Sequence, residues 1–267
     1  LGRFEEAEAA YRAAIAASPG MTRAYAALVQ LRRQRPEDGL IAPMEALFAQ
    51  AQTAEEKLHL GHALAKTFED IGDLDTAFAW LRNAKADRRG AALARRQADQ
   101  ALFAAATAGP GMAGEESGGA RPIFVFGLPR TGTTLIDRIL SSHAEVISAG
   151  ELTDLGLVVK RTTASPGPLV LDAGTLHAAA GSDLAGVGAA YLSAVRRAVG
   201  DAALFIDKMP LNVFYAGLIA RALPQAKMIC VRRGAMDSTV SNYRQLFATD
   251  YPYYDYAYVL PSPAQYV

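Results

Sequence analysis

Cysteine is almost absent: this chain of 267 residues has one, Cys230. No intrachain disulfide can form, and a zinc site built on thiolates is not expected. Cys230 lies in the apolar run 228–231 and reads as a buried core thiol. Also missing is any apolar run approaching the about 20 residues that span a bilayer. Neither sign of charge is in excess, since 27 Lys and Arg balance 27 Asp and Glu. A bulk electrostatic hold on nucleic acid or acidic membrane is not indicated. The expectation is a cytoplasmic protein with neither nucleic acid nor membrane as partner. The chain opens on Leu1, in what reads as the middle of a helical hairpin, so it looks like a fragment, and any signal peptide would lie upstream. Its length suits one α/β domain plus a smaller one.

Residues 1–103 carry almost no strand signal. Ala, Leu, Arg and Glu dominate, with apolar positions recurring at three and four. Two segments match in spacing: Gly2 with Ala7, Tyr11 and Ala14, and Gly72 with Ala77, Leu81 and Ala84. Gly in the turn, Ala where helices approach and a large residue on the inner face resemble the second half of a tetratricopeptide repeat. The stretch 34–52 fits that pattern poorly. Repeats of this type stack and leave a concave face, which implies either a protein or peptide partner in the groove or a plain scaffold. His59 and His62, three apart on one helix, lack a third ligand and read as packing or surface residues. A Gly-, Pro-, Ala- and Ser-rich stretch over 104–121 reads as a linker.

The second domain is expected over 122–267. Pro122–Phe126 is a short apolar run of the kind that forms a strand buried on both faces. Gly127-Leu128-Pro129-Arg130-Thr131-Gly132-Thr133-Thr134 follows, then Leu135, Ile136, Ile139 and Leu140 at helical period. Strand, glycine turn and helix cradle an anion, because backbone N–H groups curl around it and the helix N-terminus supplies free donors. The glycine spacing is that of a Walker A loop, but Thr133 stands where that motif needs Lys. Further strands are expected at 203–208 and 226–231, with helices at 185–199 and 213–223. The fold class is therefore α plus α/β: helical repeats, then a P-loop-like parallel sheet with helices on both faces. Gly127, Lys208 and Arg233 each follow a strand's carboxyl end, where such sheets bind ligands.

Pro129–Thr134 resembles the 5′-phosphosulfate loop of sulfotransferases. The resemblance implies 3′-phosphoadenosine 5′-phosphosulfate as co-substrate, held at its 5′ end by Arg130, Thr131, Gly132, Thr133 and Thr134. It implies that Arg233 and Ser241, eight residues apart, grip the 3′-phosphate, although Ala235 stands near where the family usually has Pro. Lys208 would steady the bridging oxygen of the leaving group. Transfer needs a base for the acceptor hydroxyl. Glu151 resembles the base of the protein-tyrosine sulfotransferase branch; His143 is the weaker candidate. No metal is expected, and the acceptor hydroxyl could belong to a protein, peptide, carbohydrate or small molecule. Two other readings stay open. A P-loop NTPase or kinase would use Asp207 as a Walker B carboxylate for magnesium, and a repeat scaffold could carry an inactive nucleotide fold. The tyrosines of 251–258 read as an aromatic packing turn or an acceptor lid. His177 has no assigned role.

Overall fold

The computed structural model describes residues 2–108 and 120–260. The chain divides into two compact units, one of Leu1–Ala94 with Val240–Gln265 and one of Arg95–Thr239 with Tyr266–Val267. Most of the expected linker, residues 109–119, lies outside the described residues.

The first unit is helical: α1 (Phe4–Ala17), α2 (Thr22–Gln30), α3 (Ile41–Gln50), α4 (Ala54–Ile71), α5 (Leu74–Lys85) and the start of α6 (Arg89–Thr107). Local chemistry sets their ends. Thr53 opens α4 with a reciprocal capping box, its hydroxyl accepting from the Glu56 amide at 3.2 Å while the Glu56 carboxylate accepts from the Thr53 amide at 2.9 Å. Gly72, left-handed at φ 93°, stops α4, and the Asp73 carboxylate then caps α5 by accepting from the Thr76 amide at 3.0 Å. Gly2 has the matching φ of 98°, so the two glycines paired by spacing share a conformation. At Gly61 a Cβ would lie 2.4 Å from the Ala84 Cβ, so two small residues let α4 and α5 approach closely. In the irregular stretch 34–52 lie a 3-10 turn (Pro36–Asp38) and α3, whose Met44 is fully buried with Tyr25, Val29, Leu60 and Leu64.

The chain returns to this unit after residue 240. The 3-10 turn Pro252–Tyr258 buries Tyr256, Ala257 and Tyr258, so this tyrosine run packs. Its anchor is Lys85, almost fully buried, whose Nζ donates to the Ala257 carbonyl at 2.8 Å. The same nitrogen lies 4.6 Å from the Tyr243 ring centre and 5.5 Å from that of Tyr258. Rings and a carbonyl offset the lost water only in part, and burial lowers the Lys85 pKa to about 7. His62 is buried in the same unit and burial lowers its pKa to about 3, which keeps it neutral.

The second unit is a four-stranded, all-parallel sheet with strand order β2-β3-β1-β4: β1 (Arg121–Phe126), β2 (Val146–Ser148), β3 (Leu204–Lys208) and β4 (Lys227–Cys230). Around it run α7 (Thr133–Leu140), α8 (Asp154–Thr163), α9 (Ala173–Ala180), α10 (Leu184–Val199), α11 (Ala216–Ala222) and the first residues of α12 (Ala235–Arg244). The helix expected over 213–223 opens instead as a 3-10 turn, Pro210–Tyr215, since Pro210 fixes φ at its first position. The stripe expected to bury α7 also turns out differently. Thr133 and Asp137 are its buried residues, while Leu135 and Ile139 are 64% and 57% exposed. Cys230 is exposed, not a core thiol, because β4 is an edge strand whose outer residues no described element covers.

Linkage predicts how the helical unit responds to alkali. Lys85 is already largely deprotonated in the fold near pH 8, whereas the unfolded chain keeps its proton up to about pH 10.4. The unfolded state thus binds more protons in that window, and stability rises with pH. Urea unfolding followed by fluorescence of the single tryptophan, Trp80 of α5, should show a gain of about 2 kcal/mol between pH 7 and pH 9. In Lys85→Met the same titration should be flat.

Candidate functional site

The carboxyl end of β1 is where the chain must turn most tightly. Gly127 has φ 145°, and a Cβ on it would stand 2.3 Å from the Val231 carbonyl oxygen, just beyond β4. Only glycine allows that crossing. Arg130 is left-handed at φ 67°, one of two non-glycine residues so placed among those described. Such a conformation costs an ordinary side chain roughly 1–2 kcal/mol. The Thr131 hydroxyl donates to the Leu128 carbonyl at 2.7 Å and closes the loop on itself. Gly132, at φ 108°, is the N-cap of α7 and offers no side chain to its amides. The Leu135 amide donates to the Gly132 carbonyl at 3.0 Å, which leaves the amides of Thr133 and Thr134 at the start of α7 facing outward for an acceptor. Thr133 is buried and Thr134 exposed, so the three hydroxyls are not equivalent.

Beside β1 runs β3, with Val125 level with Lys208. On its other side the pairing with β2 continues past the strand's formal end, because the Ala149 amide donates to Ile206 O at 2.9 Å and the Lys208 amide to Gly150 O at 2.8 Å. Gly150, left-handed at φ 71°, then turns the chain so that Glu151 meets Lys208. Their side chains form an ion pair. Lys208 is 10% exposed and Glu151 51%, so a buried cation is held by a carboxylate open to solvent.

Strand alternation sends Asp207 to the opposite face from Lys208. There it is fully buried and accepts from the Tyr191 hydroxyl of α10 at 2.8 Å and from Asn212 Nδ2 at 3.3 Å. Burial pushes its carboxyl up to about 7 against these hydrogen bonds, which pull it down. Tyr191 is raised by burial and by the Asp207 charge. A Walker B carboxylate would need a face open to magnesium, and Asp207 has none. Among the described residues no group of three or more His, Cys, Asp or Glu could hold a metal.

Beyond β4, Arg233 Nη1 donates to the Arg130 carbonyl at 3.5 Å, and its Nε lies 3.6 Å from Asp237 in the first turn of α12. Arg233 is thus joined to the loop that follows β1. Ser241 is half-buried on α12. His143 is exposed beyond α7, its Nδ1 accepting from the Glu145 amide at 3.2 Å, and His177 is exposed on α9.

These loops sit at the carboxyl ends of three neighbouring parallel strands, and the sequence around them has relatives. Residues 122–262, just over half of the chain, match the family model described as Sulfotransferase family. The chain belongs to the sulfotransferase family. An uncharacterized protein of Aquifex aeolicus (strain VF5) is 36% identical over 152 residues, covering 52% of this chain and 19% of that protein. The chain thus spans about a fifth of the length of that relative. No solved structure matches. Among the described residues no helix is long and apolar enough to cross a membrane.

Two residues that bond Asp207 escaped the sequence reading, Tyr191 and Asn212. The signal for Tyr191 was its place in the stripe Val187, Tyr191, Val195, opposite a strand aspartate that had to find donors.

The loop geometry yields a test. Gly127→Ala adds a Cβ that collides with the Val231 carbonyl at a φ unfavourable to alanine. A loss of at least about 2 kcal/mol is expected in urea unfolding, whereas Gly167→Ala, at a positive φ with open space around it, should cost about 1 kcal/mol.

Proposed function

We propose that the α/β unit moves a sulfuryl group from 3′-phosphoadenosine 5′-phosphosulfate to an acceptor hydroxyl by in-line transfer. The observation that carries this reading is the Glu151–Lys208 pair beside the strained, lysine-free glycine loop. A carboxylate and a buried cation lie together where the glycine loop leaves the sheet, which supports reading them as base and leaving-group cation. Arg233, joined to that loop through the Arg130 carbonyl, supports a second anion site for the 3′-phosphate, with Ser241 as its expected partner.

The donor supplies an activated sulfuryl group; the protein's task is positioning and charge stabilisation. The backbone amides of Thr133 and Thr134, with the side chains of Arg130, Thr133 and Thr134, would bind the 5′ end. Thr131 serves the loop itself, since its hydroxyl proton is committed to Leu128. Glu151 would take the proton of the acceptor hydroxyl as the new O–S bond forms. As the S–O bond to the 5′-phosphate breaks, Lys208 would offset the charge left on the bridging oxygen. The products are the sulfated acceptor, the proton on Glu151 and adenosine 3′,5′-bisphosphate.

The donor side rests on more residues than the acceptor side. We assign the helical unit, with its tetratricopeptide-like spacing, to holding a protein or peptide, which favours a hydroxyl presented on a polypeptide as the acceptor.

Calorimetry with adenosine 3′,5′-bisphosphate, compared with ATP and magnesium, tests the donor assignment. The bisphosphate should bind and ATP should not; a preference for ATP would overturn it. Transfer from radiolabelled donor to a tyrosine peptide, a simple phenol and a methyl glycoside tests the rest. Arg130→Ala should lower donor turnover about 100-fold or more. Glu151→Ala should abolish transfer while bisphosphate binding persists, and unchanged turnover in either variant would remove its role.

A further inference from the structure

Helix α4 is apolar on two sides, and each side needs cover. Leu60, Ala63 and Leu64 pack with Tyr25 and Val29 of α2 and Met44 of α3. Leu58 and Ala65 lie on a second stripe with His62 between them, and there the cover is the chain's own segment 243–260. Leu58 packs with Ala92, Tyr258 and Val259, and Ala65 with Leu81 and Tyr243. Arg244 pairs with Glu69 of α4, and the 3-10 turn Ala86–Arg88 packs against the turn Pro252–Tyr258.

This cover is held by side chains more than by its own backbone. The Tyr251 amide donates to Ala248 O at 3.4 Å, that of Tyr254 to Tyr251 O at 3.3 Å and that of Val259 to Tyr256 O at 3.5 Å. All three exceed the usual span of about 2.7–3.2 Å. Polar groups beneath are poorly served. Lys85 Nζ meets two rings and one carbonyl, that of Ala257 at 2.8 Å, with three protons to give. His62 Nε2 and Arg88 Nε are buried with no hydrogen-bond partner among the described residues. A core that never opens gains by exchanging such groups for apolar ones, whereas segments that detach come from the less stable parts of a fold.

We propose that residues 251–260 are a detachable strap that fills, in cis, the face on which the helical unit takes a polypeptide: the second stripe of α4, the end of α5 and the turn Ala86–Arg88. This rests on the assignment of that unit to a polypeptide. The strap shows what the face accepts, since it lays the Tyr258 ring and the Ala257 carbonyl against Lys85. A competing polypeptide needs the same pair, an aromatic ring next to an acceptor oxygen.

Lys85 also makes closure sensitive to pH. The titratable groups on the elements around it are His62 of α4, Arg82 of α5, Arg88 of the turn, Arg89 of α6, Tyr243 and Arg244 of α12, and Asp255, Tyr256 and Tyr258 of the strap. Glu69 and Asp87 are engaged with Arg244 and Lys57. Burial keeps His62 neutral and raises Tyr243 and Tyr258, which leaves Lys85 to titrate near neutrality. Under the strap it loses its proton at about pH 7, and in water it would keep it to about pH 10.4. Closing therefore releases a proton in that window and strengthens as pH rises.

Amide hydrogen exchange on the whole chain, corrected for intrinsic rates, tests the strap. The amides of Tyr254 and Val259 should exchange through a smaller opening than that of Leu81 in α5. Their protection should rise about 10-fold from pH 6 to pH 8. Lys85→Met, which puts an apolar side chain under the rings, should raise that protection and remove its pH dependence. Tyr258→Ala should lower it while the α5 amides stay protected. A labelled synthetic peptide of residues 248–260, followed by fluorescence anisotropy, tests the face. It should bind Tyr258→Ala at least about 10-fold more tightly than wild type, and Lys85→Met most weakly, because a tethered strap competes at high effective concentration. Should Tyr258→Ala fail to fold, Lys85→Met against wild type at the two pH values decides. Strap amides that exchange only together with α5 at both pH values would overturn this inference and leave the polypeptide assignment to the acceptor assay. A strap that opens early in a Tyr258→Ala protein that holds no peptide would remove both.

Discussion

Everything at the site depends on how β3 ends. It is paired on both sides, with β1 and with β2, and its last two residues carry opposite charges to opposite faces. A strand held on both edges cannot slip its register without moving every side chain to the wrong face. Lys208 is therefore fixed toward the loop side and Asp207 toward α10. The ladder bonds from Ala149 and Lys208 extend that rigidity two residues beyond β2, far enough to set the backbone that leads into Glu151. Glu151, on a solvent-open turn, is thereby placed with the precision of the sheet's interior.

The glycine loop meets a different constraint. Its amides are presented together only if the chain leaves β1 sharply, and the carbonyl of Val231 stands in the way. Gly127 solves the clash by having no Cβ. Arg130 accepts a left-handed backbone at a cost of roughly 1–2 kcal/mol, which the internal Thr131 bond and the paired strands must offset. Strain concentrated at one loop, with regular structure on both sides, is the pattern expected where local stability yields to binding.

Much of this was legible in the sequence, for identifiable reasons. The run Pro122–Phe126, the glycine spacing and the lack of lysine at Thr133 are local facts, and the local structure follows them. The turn read at Gly72 was equally local, and there the left-handed glycine ends α4. What sequence missed depends on who lies opposite. Cys230 sits in an apolar run and was read as core, but β4 is an edge and its outer residues are uncovered. The apolar stripe of α7 announced a helix correctly and its orientation wrongly, since Thr133 and Asp137 face inward. Nothing in the local sequence marks Lys85 as buried. Its place beneath Tyr243 and Tyr258 comes from a segment more than 150 residues later in the chain. Asp207 had no partner in the local sequence, because Tyr191 and Asn212 reach it only through tertiary packing.

The charges of the candidate site follow one rule. Lys208 is paired with Glu151 and Arg233 with Asp237, so two of the cations expected to hold the donor already face carboxylates. The two pairs differ in burial. Arg233 and Asp237 are both well exposed, and such a pair contributes little that an incoming phosphate must replace. Lys208 is largely withdrawn from water, where a partner is needed to offset its desolvation. A donor that brings negative charge to Lys208 can take over that compensation. Glu151 would then be released from its cation at the moment a base is required. On this reasoning a dianionic donor and an active base are two sides of one exchange, and acceptor chemistry should await the donor.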